Sequence, residues 1–168
     1  MLEKSPRTEA IWREFQVQSG IDAADYVVVA FGDSPRLATE LADLAAAGTK
    51  RATASLLRDY ADGREPLPRV GDFVVVVDGA DAPRFIWRTT EIEIKPLIAV
   101  DDRFAFDEGE GDRTRDWWLN AHREHFRRQA ARDGFAMHDR IDTVFERFEV
   151  VWPLSIADGS LTPAGSGS

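Results

Sequence analysis

Residues 67–94 read LPRVGDFVVVVDGADAPRFIWRTTEIEI, and the pairing of this stretch decides the fold. Residues 67–79 end in four consecutive valines and an Asp-Gly, while 82–94 mix β-branched and aromatic residues at strand length. Gly79 stands in the short connection between them, which predicts a hairpin. A hairpin pairs its strands antiparallel and needs no crossover helix. The regular strand-helix alternation of a doubly wound sheet is therefore missing here.

The flanking segments support the same architecture. Ser5 followed by Pro6 predicts a helix start, and Gly20 a stop. YVVVAFG (26–32) is an apolar run of strand length. Ser34-Pro35 repeats the helix-start signal, with Leu37, Leu41 and Leu44 at helical spacing up to Gly48. ASLLRDYADG (54–63) reads as a second helical piece, and 99–116 as an acidic loop. The longest helix signal covers 113–134, and DTVFERFEVVW (142–152) returns to strand. This order predicts an α+β domain with a small, mostly antiparallel sheet or barrel and helices packed around it. The expected organisation is an N-terminal helical segment (1–24), a main domain (25–154) and a flexible polar tail (155–168).

At 168 residues, 43% of them hydrophobic, the chain is long enough for one domain with a core of its own. It contains no cysteine, which excludes disulfides, thiolate metal sites and a cysteine nucleophile. The opening MLEKSPRTEAIW lacks a signal peptide's apolar stretch, and no run approaches a membrane span. A cytoplasmic protein without membrane contact is expected. The net charge of −9 argues against binding long duplex DNA, which needs a broad cationic surface. A pocket that grips one nucleotide remains compatible with it. The charge is also uneven: residues 99–116 hold seven acids, whereas 113–132 hold six arginines against Asp116 and Glu124.

Residues 45–57, AAAGTKRATASLL, mark the end of the alanine-rich helix. Gly48 reads as a left-handed helix cap, with Lys50 and Arg51 beside the helix's negative end. Stability alone accounts for that pattern. If locally helical, Lys50 and Thr53 also share a side, offering a charge and a hydroxyl together. Other motifs fail on spacing. AGTK lacks the P-loop pattern, and GEGD lacks the third glycine and preceding strand of a dinucleotide site. His122 and His125 stand three apart on a helix, but spacing fixes no third ligand, so no metal or other cofactor is expected. His122 shares its helical face with Trp118, Ala121 and Phe126 and reads as a hydrogen-bonded, partly buried histidine. Trp117 and Trp118 read as core and cleft wall.

Five segments, FGDSP (31–35), AAGTKRATASL (46–56), LPRVGD (67–72), FAFDEGEGDRTRDWWLNAH (104–122) and FERFEVVWP (145–153), together resemble bacterial ASCH-domain proteins. The resemblance implies a PUA-like fold: a small β-barrel, helices around it and a cleft alongside. Members of the family are associated with RNA binding. Some small ones look like amidohydrolases acting on N4-acetylcytidine, and longer ones resemble a single-strand-specific ribonuclease. The family's lysine and threonine fall on Lys50 and Thr53, and its acidic partner on Glu108; these are the expected catalytic residues. The family signature carries an arginine five residues after the lysine, where this chain has Ser55. The expected ligand-binding set is Arg51, Ser55, Trp118, Arg123, Arg127 and Arg128.

Two roles compete for the lysine. It could take a proton from Thr53 in a dry pocket, or stay charged and stabilise an oxyanion or phosphate while Glu108 acts as base. An ionised neighbour favours the charged form. The functional expectation is a nucleoside- or single-stranded-RNA-directed hydrolase. The other readings are a non-catalytic RNA or modified-nucleotide binding module, and a structural or interaction protein.

Overall fold

The computed structural model describes residues 1–23, 25–63 and 65–159. Helix α1 (Pro6–Ser19) starts as its sequence dictates: the Ser5 hydroxyl accepts from the Thr8 amide and Pro6 fills the first position. Strand β1 (Val27–Val29) follows, then α2 (Pro35–Ala46), capped by the Ser34 hydroxyl. The chain continues through β2 (Ala52–Leu56), β3 (Phe73–Val77), β4 (Pro83–Pro96), α3 (Asp102–Glu108), α4 (Arg115–Asp133) and β5 (Asp142–Trp152).

The strands form one sheet in the order β1-β3-β4-β5-β2, curled into a half-barrel of the PUA-like type. Only β1 and β3 pair in parallel; the β3–β4 hairpin and the remaining pairs are antiparallel. The two long strands β4 and β5 slip register at Ile86/Trp87 and again at Thr89/Glu91. Each irregularity adds local twist and bend, which is how a sheet this small curls.

Two expectations are corrected. Residues 54–63 are not helical: 52–56 form strand β2, and a single 3-10 turn covers Leu57–Tyr60. Ala52 to Leu56 face Arg147 to Thr143 on β5, and this long-range pairing overrides the local helical preference. Residues 99–116 are not wholly loop either. They contain α3, which the Asp101 carboxylate caps by accepting from the Phe104 amide, and which buries Phe104 and Ala105.

Three packed clusters hold the fold. Phe31, Trp87 and Phe148 stack inside the curl, Trp87 lying on Phe148 at 4.2 Å and 11°. Phe104, Trp118, Phe126 and Phe145 fix α3 and α4 to β5. Trp12 and Phe15 of α1 cover Val75, Ile86 and Val151 on the outer face. Strand β5 is therefore buried on both sides, and α4 is anchored along one edge of the half-barrel.

In the segment 155–168, Asp158 is tied to the body by Arg51 and by the Val150 amide; residues 160–168 lie outside the described residues. Among the described residues no helix is long and apolar enough to cross a membrane.

Candidate functional site

The GTKRAT segment divides its two cations between two tasks. Gly48 adopts a φ of +89°, and the Thr49 and Lys50 amides both donate to the Leu44 carbonyl, closing α2. Arg51 completes the cap: its guanidinium donates to the Ala45 carbonyl at 2.7 Å and grips Asp158 at 2.8 and 2.9 Å. Lys50 turns the other way. Its side chain is 1% exposed, with Nζ 3.0 Å from Glu110 Oε2, 3.4 Å from Glu108 Oε1 and 3.4 Å from the Glu108 carbonyl. The Phe31 ring lies 5.1 Å from the same nitrogen.

The acidic partners arrive on the EGEGD segment, where α3 ends. Gly109 has a φ of +74°, and a Cβ there would stand 2.6 Å from the Thr49 carbonyl oxygen and 3.0 Å from Lys50 Cα. Only glycine lets this backbone pass so close to the Thr49-Lys50 backbone. The Arg51 amide clamps the same crossing by donating to the Asp107 carbonyl at 2.7 Å. Gly111 lies flat beneath the Trp117 indole, which a Cβ would overlap.

Helix α4 adds the third component. His122 Nδ1 lies 2.8 Å from the Trp118 carbonyl, so it donates, and Nε2 points at Glu108 Oε1 at 3.2 Å. Burial would push the Glu108 carboxyl up, but the charges of His122 and Lys50 hold it down at about 2. For His122 burial works against the charged form, yet Glu108 more than offsets this and raises it above the usual imidazole range. Glu110 is raised, by burial and by the Glu108 charge, against the pull of Lys50. Two adjacent carboxylates thus differ in basicity.

These groups border a cavity of about 590 Å³, a volume suited to a nucleoside-sized ligand. Thr53 lines it from β2, directly opposite Glu146 on β5. Thr89 of β4 donates to Glu146 Oε2 at 2.6 Å, and burial pushes the Glu146 carboxyl up to about 7. Ser55 and Tyr60 form a hydroxyl pair at 2.7 Å on the same wall.

These shifts predict how stability varies with pH. Glu108 contributes stability above the ordinary carboxylate value that disappears as pH falls toward 2. His122 contributes below the ordinary imidazole value, and that contribution fades as pH rises through its raised folded value. Glu146, raised by burial to about 7, favours the folded state progressively less as pH climbs from about 4.5 to 7, and Glu110, also raised, acts in the same direction. Urea unfolding is expected to give the largest free energy near pH 5, with losses at both pH 3 and pH 8. A maximum at pH 8 would contradict this assignment of charges.

Of the residues expected from sequence, Lys50, Thr53, Ser55, Glu108 and Arg128 border the cavity. Thr53 does so from a strand, not from the helical turn that the spacing had suggested. Trp118 does not: it is buried, stacked on His122 at 3.8 Å and edge-on to Phe104, because positions 118, 122 and 126 form the α4 face that meets α3 and β5. Trp117, 37% exposed, is the tryptophan on the wall. Arg51 is engaged with Asp158, and Arg123 with Asp139 at 2.7 and 2.8 Å. Arg127 is exposed. Sequence reasoning passed over Glu110, Thr89 and Glu146. The signal for Glu146 is visible in hindsight: it is the one charge in the alternating set Val144, Glu146, Phe148, Val150, Trp152.

Glu108, Glu110 and His122 each turn one metal-ligand atom to within 4.8 Å of the others. The Lys50 ammonium already lies against both carboxylates, so a divalent cation bound there would compete with it.

A family model described as the ASCH domain matches residues 27–152. Two solved structures are similar over most of their length. The ASCH domain from Lactobacillus crispatus JV V101 is 27% identical with a TM-score of 0.82, the match covering 89% of this chain and 97% of that one. A protein from Enterococcus faecalis V583 is 33% identical with a TM-score of 0.77, covering 85% of this chain and 86% of its own. No curated protein matches the chain.

Proposed function

The chain belongs to the ASCH domain family, and from that premise we propose that it is a hydrolase acting on a nucleoside unit, free or within single-stranded RNA, in the cavity around Lys50. The observation that carries this reading is the burial of Lys50 in the wall of a cavity that Thr53 also lines. A buried ion pair adds little stability over apolar packing. A fixed cation in a cavity wall, by contrast, can stabilise an oxyanion or a phosphate as charge develops.

In an acyl-transfer reaction the Thr53 oxygen attacks the acyl carbonyl carbon as its proton passes to a carboxylate. The acyl C–N bond breaks and the departing amine takes up that proton; water then hydrolyses the acyl-threonine ester, releasing the carboxylic acid and restoring the hydroxyl. Glu108, held down by two cations, is poorly suited to accept that proton. Glu110 borders the cavity and is raised, which matches the task better. The base therefore moves from Glu108, the sequence expectation, to Glu110. Glu108 is left to position Lys50 and His122. Arg127, exposed on α4, is available to the phosphates of a bound strand, whereas Arg128, though exposed, is paired with Asp33 at 3.3 Å.

One observation favours non-catalytic binding as the second reading. All three donors of the Lys50 ammonium are engaged by Glu108 and Glu110, as in a structural staple. Turnover of N4-acetylcytidine and of a single-stranded oligoribonucleotide separates the two. Thr53→Ala is expected to lower turnover roughly a thousandfold or more while binding persists, and Lys50→Arg to retain binding. Ligand binding by the wild type without turnover of either substrate would select the binding module instead.

A further inference from the structure

The cavity holds a second buried acid that this chemistry leaves unused. Glu146 is 6% exposed, on a strand whose neighbouring side chains Val144, Phe148 and Val150 are core. Its Oε2 accepts from the Thr89 hydroxyl at 2.6 Å, and the Thr89 oxygen lies 3.3 Å from Trp87 Nε1. An indole N–H can only donate. Thr89 therefore accepts from Trp87, and its own proton is committed to Glu146 Oε2. Glu146 Oε1 is bonded to none of the described residues, and the side chain borders the cavity. A proton on Glu146 consequently resides on Oε1, facing whatever the cavity holds.

We infer that Glu146 reads the hydrogen-bonding edge of the bound base, donating from Oε1 to an unprotonated ring nitrogen of the kind that cytosine and adenine present. This assignment rests on the nucleoside reading of the cavity. A ring with N–H at that place, as in uracil, meets a donor where it needs an acceptor. Ionised, the same oxygen accepts from N–H, so loss of the proton reverses the preference.

The electrostatics fit a group that is neutral when it binds. Burial pushes the carboxyl up to about 7; the Thr89 hydrogen bond opposes this, and Asp72, just before β3, adds to it. Tyr60, from the 3-10 turn after β2, is pushed up to about 12, so it stays neutral across the working range. Thr53, opposite on β2, does not titrate.

Titration calorimetry of the full chain with cytidine and uridine, at about pH 6 and pH 8.5, tests the assignment. Only the protonated fraction is competent for cytidine, so with a carboxyl titrating near 7 its apparent affinity falls roughly thirty-fold across that range. Uridine shows no such fall. Glu146→Gln keeps an N–H donor toward the cavity and an oxygen for Thr89. It therefore retains cytidine binding and flattens the pH dependence, whereas Glu146→Leu weakens cytidine at least tenfold. Glu110, His122 and His125 also border the cavity, and whatever pH dependence they add persists in Glu146→Gln. A cytidine affinity in the wild type that does not fall with pH, or a Glu146→Gln protein that binds as poorly as Glu146→Leu, overturns the assignment and leaves the cavity reading standing. Failure of the wild type to bind either nucleoside overturns both.

Discussion

Lys50→Met is expected to lower the unfolding midpoint by roughly 6–20 °C. The substitution takes a cation from between two carboxylates and leaves Glu108 and Glu110 facing each other in a buried space. Breaking a buried pair by removing one partner costs about 3–5 kcal/mol. For a domain of this size each kcal/mol moves the midpoint by roughly 2–4 °C. His122 moderates the loss, because it holds the same Glu108 oxygen, Oε1, at 3.2 Å. The coupling can be isolated. Adding Glu110→Gln to Lys50→Met removes the second uncompensated charge, so the double variant should be more stable than the single one. Calorimetric melts of the two proteins check this. A single variant within about 1 kcal/mol of wild type would show that the buried ammonium contributes no structural charge balance.

Gly109→Ala carries the second large effect, for a different reason. A left-handed backbone costs an L-residue about 1–2 kcal/mol, and the new methyl would press on the Thr49 carbonyl at 2.6 Å. Backbone cannot swing aside as a flexible side chain can, and overpacking of this kind costs about a further 1–3 kcal/mol. Gly134 supplies the control. It closes α4 at a φ of +73° with nothing within 4 Å of a built Cβ, so Gly134→Ala bears the conformational cost alone. Chemical unfolding should therefore rank Gly109→Ala well below Gly134→Ala. It should also find ligand binding impaired only in the former, since the clash pushes the Lys50 backbone from Glu108. Equal losses in the two variants would mean that the crossing of EGEGD over GTK is not tight.

The elements that could be read from sequence are those decided locally. Ser5-Pro6 and Ser34-Pro35 start helices because cap and first turn lie within four residues. The β3–β4 hairpin needs only its own turn. Strand β2 is not legible in the sequence because Ala54 to Tyr60 carry helical preferences, while the deciding interaction comes from β5, some ninety residues later. Helix α3 was hidden by its charge: Asp101 and Asp102 look like loop, yet one caps the helix and the other sits in its first turn. In the site, resemblance supplied Lys50, Thr53 and Glu108, but no local pattern distinguishes the two carboxylates of EGEGD. Only the fold shows Lys50 between them, and only the fold carries His122 onto Glu108. In sequence Lys50 and Arg51 look alike as helix-end cations; the structure gives that role to Arg51 and turns Lys50 onto Glu108 and Glu110 at the cavity wall.

The central claim is that the Lys50 cavity holds a nucleoside unit with its susceptible group at the lysine. A crystal structure of Thr53→Ala soaked with N4-acetylcytidine, or with a short single-stranded oligoribonucleotide, tests it most directly. The account predicts a nucleoside inside the cavity, its acyl or phosphate oxygen within hydrogen-bonding distance of Lys50 Nζ and its base against the Thr89–Glu146 wall. A ligand bound only along the outer face of α4, with the cavity empty at saturating concentration, would contradict it.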